Sequence, residues 1–579
     1  MDANQAPQPL TSGLRIPPGY RIDGDGLWYQ TDTKMPAIRL AGTFNILAES
    51  RDANGDTWSL LLSWQDPDGR SHQWAMPRQL LAGNPTTIIS RLLDGGLDVS
   101  PDSAHRQLLI SFLSQVRTSV RARSVDKLGW VGDAYVSPFG VFGRAGGEQL
   151  VFQAGLSQFR FAHSGTMEGW KELAKLACGN SRIAFSIIAA LTGPFLYLLK
   201  EESFGFHFSG GSSSGKTTAL YVAASVWGCP VQNWRATDNA VEGMALNSND
   251  GLLLMDELSQ ADSLQASHIA YMIGNGTGKQ RMSKDATMRP VANWKTVFLS
   301  SGEIGLADKL AESGRRAMAG QAVRMIEIPV DTGSGHKIFE NIGRFESADA
   351  FARHLRSQAE AHCGHAIQLL LQVLVADREE VIEMIKFAQD SWVREYVPPG
   401  ADGQVTRVAA RFGLVAAVGR LAAHIGILPW PELQAYWAAD ECFRAWLAQR
   451  GGIGAAETNA AFEQVRNFLF NKGPTCFEPF PKSQVAIGLS PSPEKVRNRA
   501  GFYRLDAEGR KEFLIHPAAW ARDVCQGLDS ASVAKAMNAK GFLNPGNDSL
   551  TKQVKVPGIG NMRFYIVRAH FLADGDEDE

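Results

Sequence analysis

The sequence predicts an α/β protein: a parallel sheet with helices on both faces, preceded by a β-rich N-terminal region and followed by a helical region and a C-terminal domain of winged-helix form. Three observations carry this. The apolar run Phe204–Ser209, a glycine-rich loop and the helix-like run 217–227 follow one another as strand, loop and helix. Further short apolar runs at 231–234, Gly251–Asp256, 296–300 and 324–330 alternate with helix-length segments, the pattern of a parallel sheet covered by helices. Beyond them, 348–397 and 404–449 are rich in Ala, Leu, Glu and Arg at helical spacing, with Pro398-Pro399-Gly400 as the break between them.

The N-terminal region, residues 1–165, alternates apolar and polar residues, as in 58–64, between turn signals such as Asp66-Pro67-Asp68-Gly69. Its paired acids, Asp23 with Asp25 and Asp66 with Asp68, are interleaved with Gly or Pro and are expected to serve turns, not metal ions. Residues 166–331 form the predicted sheet domain and 332–450 a helical lid over it. After the glycines at 451, 452 and 454, residues 451–573 end in helices stopping near Lys540-Gly541 and two strand-like runs, Lys552–Val556 and 562–567, around Pro557-Gly558-Ile559-Gly560. Helices followed by a two-stranded ribbon predict the winged helix. The acidic end, 574–579, is expected to be a solubilising tail.

Composition bounds the function. The 579 residues and 44% hydrophobic content fit several packed domains, and a net charge of −2 leaves any attraction for nucleic acid to local basic surfaces. The six cysteines are dispersed without a CxxC pair, which disfavours a zinc ribbon or a disulfide framework and fits a reducing, cytoplasmic compartment. His362, Cys363 and His365 lie close in sequence, but in a helical-looking stretch where their side chains would diverge. The N-terminus lacks a secretory pattern, and the most apolar run, 183–199, is broken by polar residues and Gly193-Pro194, so it reads as a buried helix and no membrane partner is expected.

The chemistry concentrates in Gly210-Gly211-Ser212-Ser213-Ser214-Gly215-Lys216-Thr217, a full match to GxxxxGK[ST] between strand and helix. Small residues let successive backbone amides turn toward phosphate oxygens, and the helix N-terminus adds its dipole. ATP with Mg²⁺ is the expected ligand. Lys216 would reach the β and γ phosphates, and the Thr217 hydroxyl would serve Mg²⁺, a hard cation that prefers oxygen, with Thr218 a lesser candidate. Leu252 to Glu257 is an apolar strand ending in two carboxylates. Asp256 would hold the metal through water and Glu257 would polarise the attacking water.

Ser300 and Ser301, at the end of the next strand and followed by Glu303, are candidates for sensing the γ phosphate or for simple strand capping. Arg315, Arg316 and Arg324 precede the last strand, where one of them would complete a neighbouring subunit's site as an arginine finger. Lys279, Arg281, Lys284 and Arg289 lie in the basic segment 276–293 and are candidates to track nucleic-acid phosphates. Arg407 and Arg411 are weaker candidates for contacting ATP, and Lys552, Lys555 and Arg563 for contacting DNA from the C-terminal wing.

Across residues 125–430 the sequence resembles phage and mobile-element proteins long catalogued as a domain of unknown function and related to the Cch-like self-loading replicative helicases. The resemblance rests on Leu128-Gly129-Trp130, the phosphate loop, Trp234-Arg235-Ala236-Thr237-Asp238-Asn239, Met255-Asp256-Glu257-Leu258, Ser301-Gly302-Glu303 and Gly320-Gln321-Ala322-Val323-Arg324. It implies an AAA+ P-loop ATPase similar to the minichromosome-maintenance helicases, a homo-oligomer forming a hexameric ring that encircles and unwinds DNA in replication of a mobile element. Lys216, Thr217, Asp256, Glu257 and Arg324 are the positions carried over, and 276–293 is where such helicases hold a pore hairpin. An alternative is a nucleotide-switched scaffold or protein-remodelling ATPase without unwinding activity.

Overall fold

The computed structural model describes residues 13–32, 34–52, 54–144, 146–152, 161–280, 291–314, 319–450, 452, 456–481, 499–506, 508–547 and 549–573. Contacts divide the chain into two compact units, Met1–Val397 with Arg407–Trp446, and Pro398–Thr406 with Leu447–Glu579.

The N-terminal part of the first unit holds a three-stranded sheet, Tyr20–Asp23, Gly26–Tyr29 and Ile38–Ala41, and a five-stranded sheet in the order Gln149–Phe152, Arg121–Val125, Phe44–Arg51, Ser59–Gln65, Ser71–Pro77. The turn at Asp66 is built as the sequence predicts: Gly69 N donates to Asp66 O at 2.9 Å, and the Asp66 carboxylate accepts from Asp68 N and Arg70 N. Asp23 likewise accepts from Asp25 N and the Trp28 indole, so the first acid of each pair serves its turn. The region also holds two helices, Pro85–Asp94 and Ser103–Gln115, capped by the Asn84 and Asp102 side chains, and they bury Ile88, Leu92, Leu109 and Phe112 against the strands. An N-cap followed by apolar residues at spacings of three and four was their signal in the sequence.

The second sheet is the centre of the unit. Its strands are β1 (Phe204–Ser209), β2 (Gln232–Asn233), β3 (Gly251–Asp256), β4 (Thr296–Gly302) and β5 (Met325–Pro329), all parallel, in the spatial order β2, β3, β4, β1, β5. Every residue of β1 and β4 is buried, as expected of strands covered on both faces. The helix α1 (Ser181–Leu198) packs against α2 (Lys216–Trp227), which starts at the phosphate loop. α1 is long and apolar enough to cross a membrane by length and composition, but 89% of it is buried inside the unit, so it is a core helix. Pro194 lacks the N–H that would bond Ala190 O; the Trp227 indole of α2 donates to that carbonyl at 2.8 Å instead.

Five helices follow the sheet: Ala348–Ala361, Ala366–Ala376, Arg378–Tyr396, Gly403–His424 and Glu432–Gln449. The sequence placed His362, Cys363 and His365 within one helix; in the structure they form the link between two. Gly364 has a left-handed φ of 82° there, and Cys363 exchanges backbone hydrogen bonds with Ser164, which draws the chain out of helical geometry. His362 Nδ1 accepts from Thr166 N and His365 Nε2 donates to Ser164 O. Among the described residues no group of three or more His, Cys, Asp or Glu is placed to hold a metal ion, and all six cysteines are unpaired.

In the second unit the hairpin Lys552–Val556 with Gly560–Val567 is present, and the helix Ser530–Ala539 precedes it. The strands form a five-stranded sheet and not a two-stranded ribbon: Phe477–Pro479, Gly501–Leu505 and Lys511–Ile515 extend it from Gly560–Val567. Those three strands are short, and they bury Phe477, Phe502, Phe513 and Leu514, which come from all three of them.

Candidate nucleotide-binding and hydrolysis site

A phosphate-binding loop needs a rigid strand, a turn without side-chain bulk and a helix whose first amides face the ligand. β1 supplies the strand and α2 the helix. Gly210 and Gly215 are sterically required: a Cβ at Gly210 would lie 2.5 Å from Val330 Cγ2, and one at Gly215, whose φ is 94°, would lie 2.4 Å from Ile338 Cγ2. Gly211, Ser212 and Ser213 are exposed at the crest of the loop, whereas Ser214 is buried. The Lys216 ammonium donates to Gly210 O and Gly211 O at 2.7 Å and to Ser214 Oγ at 3.2 Å, folded back along the loop. Burial lowers its pKa, and the carboxylates of Glu303, Glu257 and Asp256 oppose that shift.

Strand order brings the acids to the loop. β4 lies between β1 and β3, so the ends of all three point at one place. Thr217 Oγ1 lies 3.5 Å from Asp256 Oδ1, and the same carboxylate oxygen accepts from Ser301 Oγ and, at 3.1 Å, from Glu257 N. A hydroxyl and a carboxylate converging beside a phosphate loop are the hard oxygen donors that suit Mg²⁺, so these residues fit that ion. Thr218, in contrast, is buried in the core face of α2.

The two serines of β4 have separate fates because adjacent strand residues face opposite ways. Ser301 turns to Asp256. Ser300 turns to His207 and Trp234: the Trp234 indole donates to Ser300 Oγ at 2.8 Å, and Ser300 Oγ lies 2.9 Å from His207 Nδ1. His207 Nε2 lies 3.0 Å from Ile304 O, which can only accept, so Nε2 carries the proton and Ser300 donates to Nδ1. Burial pushes the His207 pKa down to about 4, keeping it neutral. Ser300 is therefore a structural hydroxyl of the sheet interior. His207 reads only as a residue of an apolar strand and Trp234 as part of a resemblance motif, and nothing in the sequence signalled their hydrogen bonds to Ser300.

Glu257 sits just past β3 with φ 65° and ψ 58°. Of the five non-glycine residues with positive φ among the described residues, Ser213, Glu257 and Lys337 belong to this site. Such conformations cost on the order of 1–3 kcal/mol and persist where the surroundings enforce them. Lys337 was not singled out from sequence; its ammonium donates to Ser213 O at 2.9 Å.

The remaining predicted residues lie elsewhere. The Arg324 carbonyl accepts from Gly205 N, and its guanidinium contacts Glu202 at 3.7 Å, Gly320 O and the ring of Tyr271. That is the opening end of β1, so Arg324 lies roughly 17 Å from the loop at about 3.3 Å per residue. Arg411 stands over the ring of Phe204 at that same end, with burial lowering its pKa to about 10; it is not beside the phosphate loop. Lys279 is paired with Asp238 at 2.6 Å. The chain on either side of 281–290 is joined by an antiparallel bridge, Thr277 with Asn293, and by Gly278 N donating to Ala292 O. Arg281, Lys284, Arg289, Arg315 and Arg316 lie outside the described residues.

Leu128-Gly129-Trp130 also finds its place: Trp130 N donates to the buried Asp250 carboxylate at 3.0 Å, and Asn249 donates to Leu128 O. A Cβ at Gly129 would lie 2.3 Å from Asp250 Oδ2, so this motif anchors the start of β3.

Comparison with known proteins adds family and fold. No curated protein matches the chain. The solved structure titled "SCCmec type IV Cch - active helicase" is similar with a TM-score of 0.65 at 17% identity, covering 96% of this chain and 98% of that one. Two structures of the NrS-1 C-terminal region cover 65% and 62% of this chain at 10% and 12% identity, but their TM-scores of 0.27 and 0.20 carry no argument. Residues 20–293 match the family described as Domain of unknown function (DUF927). The chain is thus similar to the DUF927 family over residues 20–293 and in overall fold to the structure titled a Cch helicase.

Proposed function

We propose that this protein is an ATP-dependent DNA helicase or translocase acting in replication of a phage or mobile genetic element. The observation that carries the reading is the convergence of Lys216 and Thr217 with Asp256, Glu257 and Ser301 at the ends of three neighbouring strands. Lys216 and the loop amides bind the phosphates, and Ser301 holds Asp256 in place. Thr217 and Asp256 would hold Mg²⁺, which would neutralise phosphate charge. Glu257 orients the attacking water and accepts its proton. The fold shared with a protein titled an active helicase favours a motor over a small-molecule kinase.

Arg324 lies before β5, at the end of the sheet away from the phosphate loop, and Arg315 and Arg316 precede it in sequence. This favours an AAA+ ring, hexameric in our reading, in which one of these arginines completes the neighbour's site. The bridge of Thr277 with Asn293 brings together the two sides of the basic segment, and in our reading Lys279, Arg281, Lys284 and Arg289 follow DNA phosphates. The helices from Ala348 to Gln449 act as the lid, and the C-terminal unit as a winged-helix-type DNA or protein contact.

The test is steady-state ATP hydrolysis with and without single-stranded and forked DNA, beside Lys216→Ala and Glu257→Gln. DNA stimulation that disappears in both variants is the expected result. Hydrolysis that disappears in the variants yet ignores every nucleic acid would transfer the assignment to a scaffold or protein-remodelling ATPase.

A further inference from the structure

A phosphate loop works by pointing N–H groups at the ligand, and in a trans peptide the C=O opposite each such N–H then points away from it. At Ser213 that arrangement is held in an unfavourable conformation: φ is 56°, a left-handed value that costs a non-glycine residue on the order of 1 kcal/mol or more. The loop could relax by flipping this peptide and would then lose an inward amide. Something must hold it, and one side chain is in place to do so.

Lys337 donates from Nζ to Ser213 O at 2.9 Å. It is itself left-handed, with φ 61°, and its own backbone is pinned, because Thr332 N and Thr332 Oγ1 both donate to Lys337 O, at 2.9 and 3.0 Å. The next residue, Ile338, is fully buried and packs where a Cβ on Gly215 would be. The segment after β5 thus touches the phosphate loop at two points, apolar contact at Gly215 and a cation on the Ser213 carbonyl. Two strained residues joined by one charged hydrogen bond at a ligand site fit stored preorganisation better than chance surface pairing. A cation on a carbonyl also polarises the peptide, making the following N–H, that of Ser214, a stronger donor.

We propose that Lys337 is a positioning residue for nucleotide binding: it clamps the Ser213 carbonyl outward and so keeps the phosphate loop in its anion-ready shape. This rests on the ATP-site reading above. The lysine bonds a loop carbonyl, so the proposed effect on phosphate passes through the backbone.

The test is equilibrium titration with a fluorescent ATP analogue on the full chain, comparing wild type, Lys337→Met, Lys337→Arg, Ser213→Gly and the Lys337→Met/Ser213→Gly double variant. Methionine keeps the stem length and the backbone strain and removes only the charge, so Lys337→Met should weaken binding about tenfold. Arginine should retain most of the affinity. Glycine is left-handed at no cost, so Ser213→Gly should return the double variant to within about twofold of Ser213→Gly alone. Unchanged affinity in Lys337→Met would overturn the clamp. A loss that Ser213→Gly fails to rescue would overturn it too, since the lysine would then act on the nucleotide directly. Lys337 is exposed, so melting temperatures should match and folding is not at issue. If wild type and Lys216→Ala alike bind no ATP analogue, the ATP-site reading itself fails, which is a separate outcome.

Discussion

The two ends of the central sheet are made of the same strands and do opposite things. At the closing end, Ser209, Asp256 and Gly302 deliver the phosphate loop, two acids and Ser301 to one place. At the opening end, Phe204 and Gly205 meet Arg324 and Arg411, which lie against Glu202, Tyr271 and Phe204. The first end is a site assembled within one chain; the second presents cations that its own site does not use. A parallel sheet produces this split because all its strands run one way, so everything after a strand gathers at one edge and everything before it at the other.

The largest test of that contrast is Arg324→Ala. If the opening end serves a neighbour, turnover of the assembled protein should fall by about a thousandfold or more while nucleotide affinity of dilute protein stays near wild type. Equal loss of both in titration and turnover assays would break the contrast. Glu257→Gln should act at the closing end alone, lowering turnover by about a thousandfold with binding of the ATP analogue retained.

The sheet interior between the two ends gives a pH prediction. Neutral His207 has its pKa depressed from 6.5 to about 4, so the unfolded chain binds its proton first. Stability from this group is complete above about pH 6.5 and is lost as pH falls toward 4, on the order of 3 kcal/mol in all. Asp250 works in reverse, since burial raises its carboxyl from 3.8 to about 6 and it stabilises as pH falls over that range. The two partly cancel in wild type. The difference in melting temperature between His207→Gln and wild type should therefore shrink as pH falls from 7 to 5; a constant difference would show that His207 does not titrate this way. The smallest effect is expected from Ser301→Ala, which removes one hydrogen bond to Asp256 and should slow turnover about tenfold with little change in stability.

Much of this site is legible without coordinates, because its chemistry is written in residues adjacent along the chain. Gly210 to Thr217 must be a turn between strand and helix, and Met255-Asp256-Glu257 must end a buried strand. Local rules of backbone geometry and hydrophobic pattern set those features, and the α/β character with them. Long-range packing decided the rest. That β4 lies between β1 and β3 determines which serine meets Asp256, and a two-residue periodicity alone left Ser300 and Ser301 equivalent. Lys337 reaches Ser213 from 124 positions away, and Trp130 caps Asp250 from 120. The C-terminal strands at 477 and 501 join a sheet because distant phenylalanines bury together. Sequence thus determined what each segment would become, since that depends on neighbours within a turn or two, while only the tertiary structure decided which segments share an edge, since that depends on burial summed across the chain.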